Sequence, residues 1–264
     1  MSTPYPRPNF KIVLVIDENT IVVKRASNIR LVSMSGLTSP NNNLATQDYV
    51  FDGGYISNKR YGMRDIKLEI GITSLTEAEG LRQQILSSLR GKSECKLIVT
   101  RNDVTREIIG YINGAPETSY TLNYNRPSIS IPLLCPDPYF YETSEATIDI
   151  TGGVPTVINN SGDATLGFTL DITMTGAVTD PTIMCGNGEY IAIKGSFEED
   201  DRLYISTVER NKVIKKNNGD YLYYTLDSTF FEFPIGSTTI NLTATSGTAN
   251  MVGELTYRKR YLGI

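Results

Sequence analysis

The sequence predicts a mainly β protein with one α-helix, built as two domains. Three observations carry this. Along most of the 264 residues, short runs rich in Ile, Val, Thr and Tyr alternate with clusters of Gly, Asn, Asp and Pro, the punctuation of strands and turns. Two of these runs show strict period-two alternation, the mark of a sheet buried on one side. Near the middle, Pro136 and Pro138 interrupt the pattern within three residues. A chain of this length forms one large domain or two ordinary ones, and the prolines favour two, 1–141 and 142–264.

The elements follow in order. Phe10 to Ile16 reads as a strand, and Asp17-Glu18-Asn19 turns it back into Ile21 to Val23. From Asp65 to Ile72, Ile66, Leu68, Ile70 and Ile72 share one face while Lys67 and Glu69 take the other. Ser74-Leu75-Thr76-Glu77 is a capping box, in which the Ser oxygen accepts the Glu amide and the Glu carboxylate bonds back. Ala78, Leu81, Ile85 and Leu89 then recur at spacings of three and four. They predict a helix over Leu75 to Arg90 with one apolar stripe, ended by Gly91 as a left-handed cap. Lys96 to Thr100, Glu107 to Ile112, Ser119 to Tyr124 and Ser128 to Leu133 are further strands.

Pro136-Asp137-Pro138-Tyr139-Phe140-Tyr141 cannot be a central strand, because two prolines remove ladder donors. It reads as a domain junction packed down by its aromatic side chains. The second half is predicted as strands at Phe168 to Met174, Tyr190 to Ile193, Leu203 to Thr207, Lys212 to Lys215, Tyr221 to Thr225, Thr239 to Thr245 and Gly253 to Arg258, with no helix. Turn signals recur about every ten residues, which suggests a sandwich.

Composition excludes much chemistry. There is no histidine, which removes Ser-His-Asp and Cys-His mechanisms, histidine-ligated zinc and the commonest neutral-pH base. Cys95, Cys135 and Cys185 are spaced for neither a metal nor a disulfide framework and read as buried thiols, as in a protein made in a reducing cytoplasm. The net charge of −4 argues against nucleic-acid binding, which needs clustered Lys and Arg. No secretory signal or membrane span is read in the chain. Glu198-Glu199-Asp200-Asp201 is a dense carboxylate run, read as a solvated hairpin tip rather than a separated acid pair. Arg210, Lys212, Lys215 and Lys216 read as the wet face of a hairpin. No catalytic residue, cofactor or metal ligand is assigned.

Several segments in order resemble the distal tail proteins (Dit) of long-tailed bacteriophages. They are Asp52-Gly53-Gly54-Tyr55 with Lys59-Arg60-Tyr61-Gly62-Met63-Arg64-Asp65-Ile66; Pro136-Asp137-Pro138-Tyr139 with Tyr141; and Val157-Ile158-Asn159-Asn160-Ser161-Gly162-Asp163. Phe233-Pro234-Ile235-Gly236-Ser237-Thr238-Thr239-Ile240 and Tyr257-Arg258-Lys259-Arg260-Tyr261-Leu262 complete the set, with Ser237-Thr238-Thr239 replacing the usual Asn step. The resemblance implies an N-terminal β-sandwich with a helix and a hairpin arm, and a C-terminal galectin-like sandwich. It implies a structural role at the virion tail tip. Six copies form a ring there, between the tail tube protein and a baseplate hub or fibre protein, with a receptor-binding protein as a further partner. The composition leaves a carbohydrate-binding module for the host surface as the alternative. A cell-wall hydrolase comes third, lacking a spaced acid pair.

The segment from Asn41 to Tyr61 bears on this choice. Tyr49, Val50, Phe51, Tyr55 and Ile56 surround Asp52-Gly53-Gly54, a hairpin-turn signal because Gly tolerates the positive φ of a primed turn. Twenty such residues are too long for an idle connection. The hairpin either folds back on its own domain or lies on a neighbouring subunit of the implied ring. In the second case Tyr49, Phe51, Asp52, Gly53, Gly54 and Tyr55 are interface residues, with Lys59, Arg60 and Arg64 at the base for charged contacts.

Overall fold

A computed structural model of the protein describes residues 10–24, 27–74, 76–89, 94–120, 127–221 and 223–264. The fold is mainly antiparallel β with one α-helix, in two compact units. The first unit ends at Thr143 and takes back Tyr261–Ile264 from the far end of the chain. The second is Ser144–Arg260.

The first unit holds β1 (Phe10–Ile16), β2 (Asn19–Lys24), β3 (Ile29–Ser35), β4 (Asn42–Asp48), β5 (Gly54–Tyr61), β6 (Arg64–Ile72), α1 (Ala78–Ser88), β7 (Glu94–Arg101), β8 (Val104–Ile112), β9 (Glu117–Tyr120), β10 (Pro127–Cys135) and β11 (Phe140–Glu142). All of these strands but β4 and β5 belong to one sheet, whose main path is β2-β1-β7-β8-β10-β6-β3. Six inter-strand steps would make a flat path about 29 Å wide. Yet β2 and β3 are joined by a connection whose Cα atoms span at most about 18 Å. The sheet therefore curls on itself and supplies both layers around its own core. Alternating residues fill that core: Ile12 and Leu14 from β1, Leu68 and Ile70 from β6, Leu97 and Val99 from β7, Ile129 and Ile131 from β10.

Helix α1 covers part of this core with the expected stripe. Ile85 and Leu89 are buried, and Ala78 and Leu81 pack partly buried beside them. Burying the two large side chains is worth about 1.5–3 kcal/mol each. Half of the capping box forms: the Ser74 hydroxyl accepts the Glu77 amide at 3.2 Å. The Glu77 carboxylate instead accepts from the Asn28 side chain at 3.4 Å, so it does not bond back. The expected helix ends Leu75 and Arg90, the Gly91 cap, residues 121–124 of the Ser119 to Tyr124 strand, Leu222 and the N-terminal nine residues lie outside the described residues.

The second unit holds β12 (Ala146–Thr151), β13 (Thr156–Asn160), β14 (Phe168–Met174), β15 (Val178–Cys185), β16 (Tyr190–Ala192), β17 (Ser196–Phe197), β18 (Arg202–Ser206), β19 (Val213–Lys216), β20 (Gly219–Asp220), β21 (Gly236–Ser246) and β22 (Met251–Tyr257). β23 (Arg260–Tyr261) follows and pairs with β11. A six-stranded sheet, β12-β22-β14-β18-β19-β20, and a five-stranded sheet, β13-β21-β15-β16 with β17 beside β15, share one core. Phe168 stacks on Phe233 at 4.5 Å in its middle, with Phe231 against both.

Two sequence expectations fail here for physical reasons. Among its described residues, Tyr221 to Thr225 forms the isolated bridge Ile193↔Tyr224 rather than a strand, because its backbone bonds are divided: Tyr221 donates to Ile214, while Tyr223 and Thr225 bond Lys194 and Ala192. β15 is absent from the sequence reading because Asp180-Pro181 reads as a turn. The strand tolerates it because Asp180 takes a left-handed φ of 49°, and its carboxylate accepts the Gly195 amide at 2.8 Å and Lys194 at 3.0 Å. These bonds, the Gly195 amide first, hold the Asp180 pKa below its ordinary value.

The last residues are integral to the first unit. The Tyr261 hydroxyl donates to Glu142 at 2.8 Å, the Arg106 guanidinium sits 3.6 Å over the Tyr261 ring and donates to the Gly263 carbonyl, and the Ile264 amide donates to Leu37 at 3.1 Å. A Cβ on Gly263 would lie 2.0 Å from the Thr38 carbonyl oxygen, so only glycine fits. Deleting Leu262–Ile264 is expected to destabilise the first unit by about 2–4 kcal/mol while leaving the second unit's transition in place. Calorimetry resolving two transitions checks this.

Candidate functional site

Among the described residues no group of three or more Cys, Asp or Glu side chains is arranged to hold a metal ion. The most distinctive surface is the hairpin of β4 and β5. These strands pair only with each other, and every residue in both is exposed. At about 3.4 Å per residue the ribbon is about 25 Å long. It does not fold back onto its unit as one of the two sequence alternatives required.

The hairpin tip departs from a two-residue primed turn. Asp48 pairs with Gly54, leaving a five-residue loop, Tyr49 to Gly53, closed by the Tyr49 amide donating to the Gly53 carbonyl at 2.9 Å. Gly53 has φ +102°, but Asp52 is not in the left-handed region that a type I′ turn also demands. Gly54 is required for a different reason, because a Cβ there would lie 2.7 Å from the Gln47 carbonyl oxygen. The loop gathers the aromatic residues: Tyr49 stacks on Phe51 at 5.1 Å and meets Tyr55 at 5.6 Å, and the Tyr55 hydroxyl donates to Gln47. Val50 is fully exposed and Phe51 is 75 % exposed.

A bulge sets the faces of the ribbon. Thr46 pairs with Ile56 but Ala45 pairs with Asn58, so Ser57 is the extra residue, its hydroxyl on the Ala45 carbonyl at 3.0 Å. A bulge shifts side-chain parity by one. Leu44, Ile56 and Tyr61 therefore share a face, with Lys59, while Arg60 falls on the other with Gln47 and Tyr55. Simple alternation would have separated Ile56 from Tyr61. Leu44 escaped the sequence reading because it follows three asparagines, and only its pairing in β4 reveals its face.

The root of the arm is tied down by specific contacts. The Gly62 amide donates to the Asn41 carbonyl at 2.7 Å, and the Tyr61 ring packs edge-on to Tyr139 at 6.0 Å. Arg64 is the correction to the expected charged base. It is 1 % exposed and inaccessible to a partner. Its Nε donates to Pro138 O at 2.7 Å, Nη1 to Gly36 O at 2.7 Å and Nη2 to Leu262 O at 2.5 Å, with the guanidinium 5.0 Å from the Phe140 ring. Burial lowers its pKa from the ordinary value, yet a guanidinium stays charged at neutral pH. The signal was present: counting back by two from Ile66 places Arg64 on the buried face of β6.

The junction residues fix the same point. Asp137 accepts the Tyr139 amide at 3.0 Å and the Tyr141 hydroxyl at 2.6 Å. Pro136 and Pro138 flank it, all partly buried, around a fully buried Phe140. Nearby, burial pushes the Cys95 and Cys135 thiols up to about 12. All three cysteines are free and buried.

In the second unit the acidic run is a structural turn. Asp201 accepts the Glu198 amide at 2.9 Å, Asn217 at 2.6 Å and Lys216 at 2.8 Å. These bonds, Lys216 first, pull its pKa from 3.8 to about 2. Lys216 also lies 4.5 Å over the Phe197 ring, so the basic stretch is not uniformly wet. The Asn160 motif is structural too. Asn160 is fully buried, donates to the carbonyls of Ala164, Phe233 and Pro234 at 2.9–3.3 Å and accepts the Gly162 amide at 3.0 Å. Arg260, buried beside it in sequence motif order, donates to Thr165 at 2.6 Å and Glu232 at 2.8 Å.

Residues 161–261 match the family described as Siphovirus-type tail component, C-terminal domain. The fold of nearly the whole chain is that of the crystal structure of the SPP1 Dit (gp 19.1) protein, described as a paradigm of hub adsorption apparatus in Gram-positive infecting phages. The TM-score is 0.73 at 14 % identity, over 95 % of this chain and 99 % of that one. The phage P2 baseplate, activated with calcium, aligns with a TM-score of 0.49 at 11 % identity, over 96 % of this chain and 98 % of that one. No curated protein sequence matches the chain.

Replacing Arg64 by Lys removes the fork that reaches three carbonyls at once and is expected to cost the first unit about 2–4 kcal/mol. Chemical denaturation of the variant against the unaltered protein measures it. The depressed Asp201 pKa gives stability that is complete above the ordinary value of 3.8 and lost as pH falls toward about 2. Asp201→Asn should therefore lower the second unit's melting temperature at pH 6. The gap to the parent should close between pH 4 and pH 2, as thermal scans across that range would record.

Proposed function

We propose that this protein is a structural hub of a long-tailed phage's tail tip. In this reading six copies form a ring through the first unit, and the second unit's galectin-like sandwich faces outward. One face of the ring meets the tail tube protein and the other a baseplate hub or fibre protein, with a receptor-binding protein as a further partner. The protein is made in the host cytoplasm and resides in the virion, and its role is mechanical, with no catalytic step.

The observation that carries the reading is the arm. A two-stranded ribbon is marginal in water, and this one exposes Leu44, Val50, Phe51, Tyr55 and Ile56 with no partner layer in its own unit. A ribbon with exposed apolar and aromatic side chains, tied at its root, is a connector awaiting a surface. The resemblance to distal tail proteins implies a subunit of the same chain as that surface, and the shared fold is compatible with it. Tyr49, Phe51, Asp52, Gly53, Gly54, Tyr55, Lys59 and Arg60 would then lie in an obligate interface of about 2,000 Å² or more. Arg64 contributes from behind, by holding the root.

Light scattering with negative-stain imaging tests this, on the protein alone and co-expressed with the neighbouring tail proteins. The expected particle is a ring of six times the 29.2 kDa chain mass. Deleting Gln47 to Asn58 and bridging with Gly-Ser should leave a folded monomer that makes no ring. Rings of unchanged mass and stability from the deletion variant would refute the arm's role, and a closed dimer or trimer would refute the hexamer.

A further inference from the structure

The solvent face of the six-stranded sheet carries an unusual row. Asp149, Glu254, Asp171, Tyr204, Lys215 and Asp220 occupy directly paired positions across all six strands. Three carboxylates thus stand side by side, and like charges directly opposite one another cost stability. Among the described residues only Asp171 is answered by an ion pair, from Arg202 at 2.7 Å. Such an arrangement is poor as a stabilising surface and good as a set of acceptors.

At the centre of the row is a cavity of about 320 Å³, walled by Asp171, Arg202, Tyr204, Lys215 and the amides of Asn211 and Asn218. Its volume falls at the lower end of small-ligand sites. The Tyr204 hydroxyl, the Lys215 ammonium and the side-chain amides of Asn211 and Asn218 have no protein hydrogen-bond partner among the described residues. On the same hairpin Asp201, Lys216 and Asn217 are all engaged with one another. Unengaged donors and acceptors are therefore collected at the cavity, on a half-buried aromatic ring.

The chemistry of the walls selects the ligand class. A pyranose presents an apolar C–H face and a rim of hydroxyls that both donate and accept. A phenol ring between carboxylate, guanidinium, ammonium and amides offers both complements. With Arg202 committed to Asp171, the remaining cation of the wall, Lys215, stands in a row that also holds Asp220 and Glu254, which leaves no excess positive charge for an anion, and Val213 alone offers too little apolar surface for a peptide anchor. We propose that this cavity binds one neutral sugar unit, a hexose or N-acetylhexosamine, with Tyr204 under its ring. Asp171 accepts from a hydroxyl, while Lys215, Asn211 and Asn218 donate. The site lies within the second unit and does not depend on ring assembly.

Saturation-transfer NMR on the full chain tests it with free neutral hexoses, N-acetylhexosamines and glucuronate, and a co-sedimentation arm uses purified cell-wall polysaccharide. At least one neutral sugar should bind. Tyr204→Ala should weaken it by about tenfold or more, and Tyr204→Phe should hold within about threefold. Tyr223→Ala, an exposed tyrosine elsewhere in the unit, should change nothing. If Tyr204→Ala lowers the melting temperature, Asn218→Gly and Lys215→Ala decide, each with an expected loss of about threefold. Binding of the polysaccharide as well as the free sugar places the site on surface glycans; binding of the free sugar alone restricts it to short ones. No binding by any neutral sugar, preference for glucuronate, or binding that survives the cavity substitutions overturns the assignment.

Discussion

The first unit is organised by a buried positive charge. Arg64 stands on the inner face of β6, in line with Ile66, Leu68 and Ile70, where an apolar side chain would fit the pattern. Its guanidinium is instead shared among the carbonyls of Gly36, Pro138 and Leu262. Those atoms belong to the loop leading into the arm, the junction and the end of the chain. Taking a cation out of water costs several kcal/mol unless its donors are matched. The three acceptors offset that cost only when all three segments are in place. The charge therefore couples elements that no hydrophobic contact would hold in register, and it does so where the arm leaves the sheet.

The second unit solves the equivalent problem with a neutral group. Asn160 ties the loop after β13 to Phe233 and Pro234, and Gly162 is forced because a Cβ there would lie 2.5 Å from the Arg260 carbonyl oxygen. Asp163 then donates its amide to that carbonyl at 2.8 Å. Three sequence segments that resembled a tail-protein signature, around Asn160, Phe233 and Arg260, thus converge on one buried hydrogen-bonded cluster. The Arg64 and Pro138 segments converge in the first unit. The residues most recognisable in the sequence are those that satisfy buried polar backbone, a requirement that tolerates few substitutes.

This explains what was legible and what was not. The alternating strands and the Ala78 to Leu89 stripe were readable because burial follows a local period. Arg64 was misread because residue type outweighed position: a charged residue between loop and strand looks exposed, although parity places it inside. Ile56 and Tyr61 could not be placed on one face, since Ser57 becomes the bulge only through its pairing with β4. β15 was hidden by Asp180-Pro181, whose turn-like sequence is accommodated by a left-handed aspartate bonded to Gly195. In each miss the deciding partner is distant in the chain.

The arm and the cavity of the second unit answer opposite physical demands. The arm exposes apolar area with its polar backbone already paired, so what it gains from a partner is burial. That gain is non-directional, and the contacts of Arg64, Gly62 and Tyr139 at the exit restrict how the Leu44–Ile56–Tyr61 face is presented. The cavity around Tyr204 has little area to bury, and its gain must come from directional bonds to groups the protein leaves unengaged. A surface of the first kind suits a large, permanent contact, where area accumulates. One of the second kind suits a small, exchangeable ligand. The two belong to units with separate cores, so substitutions can weaken one surface without the other, and each can be tested on its own terms.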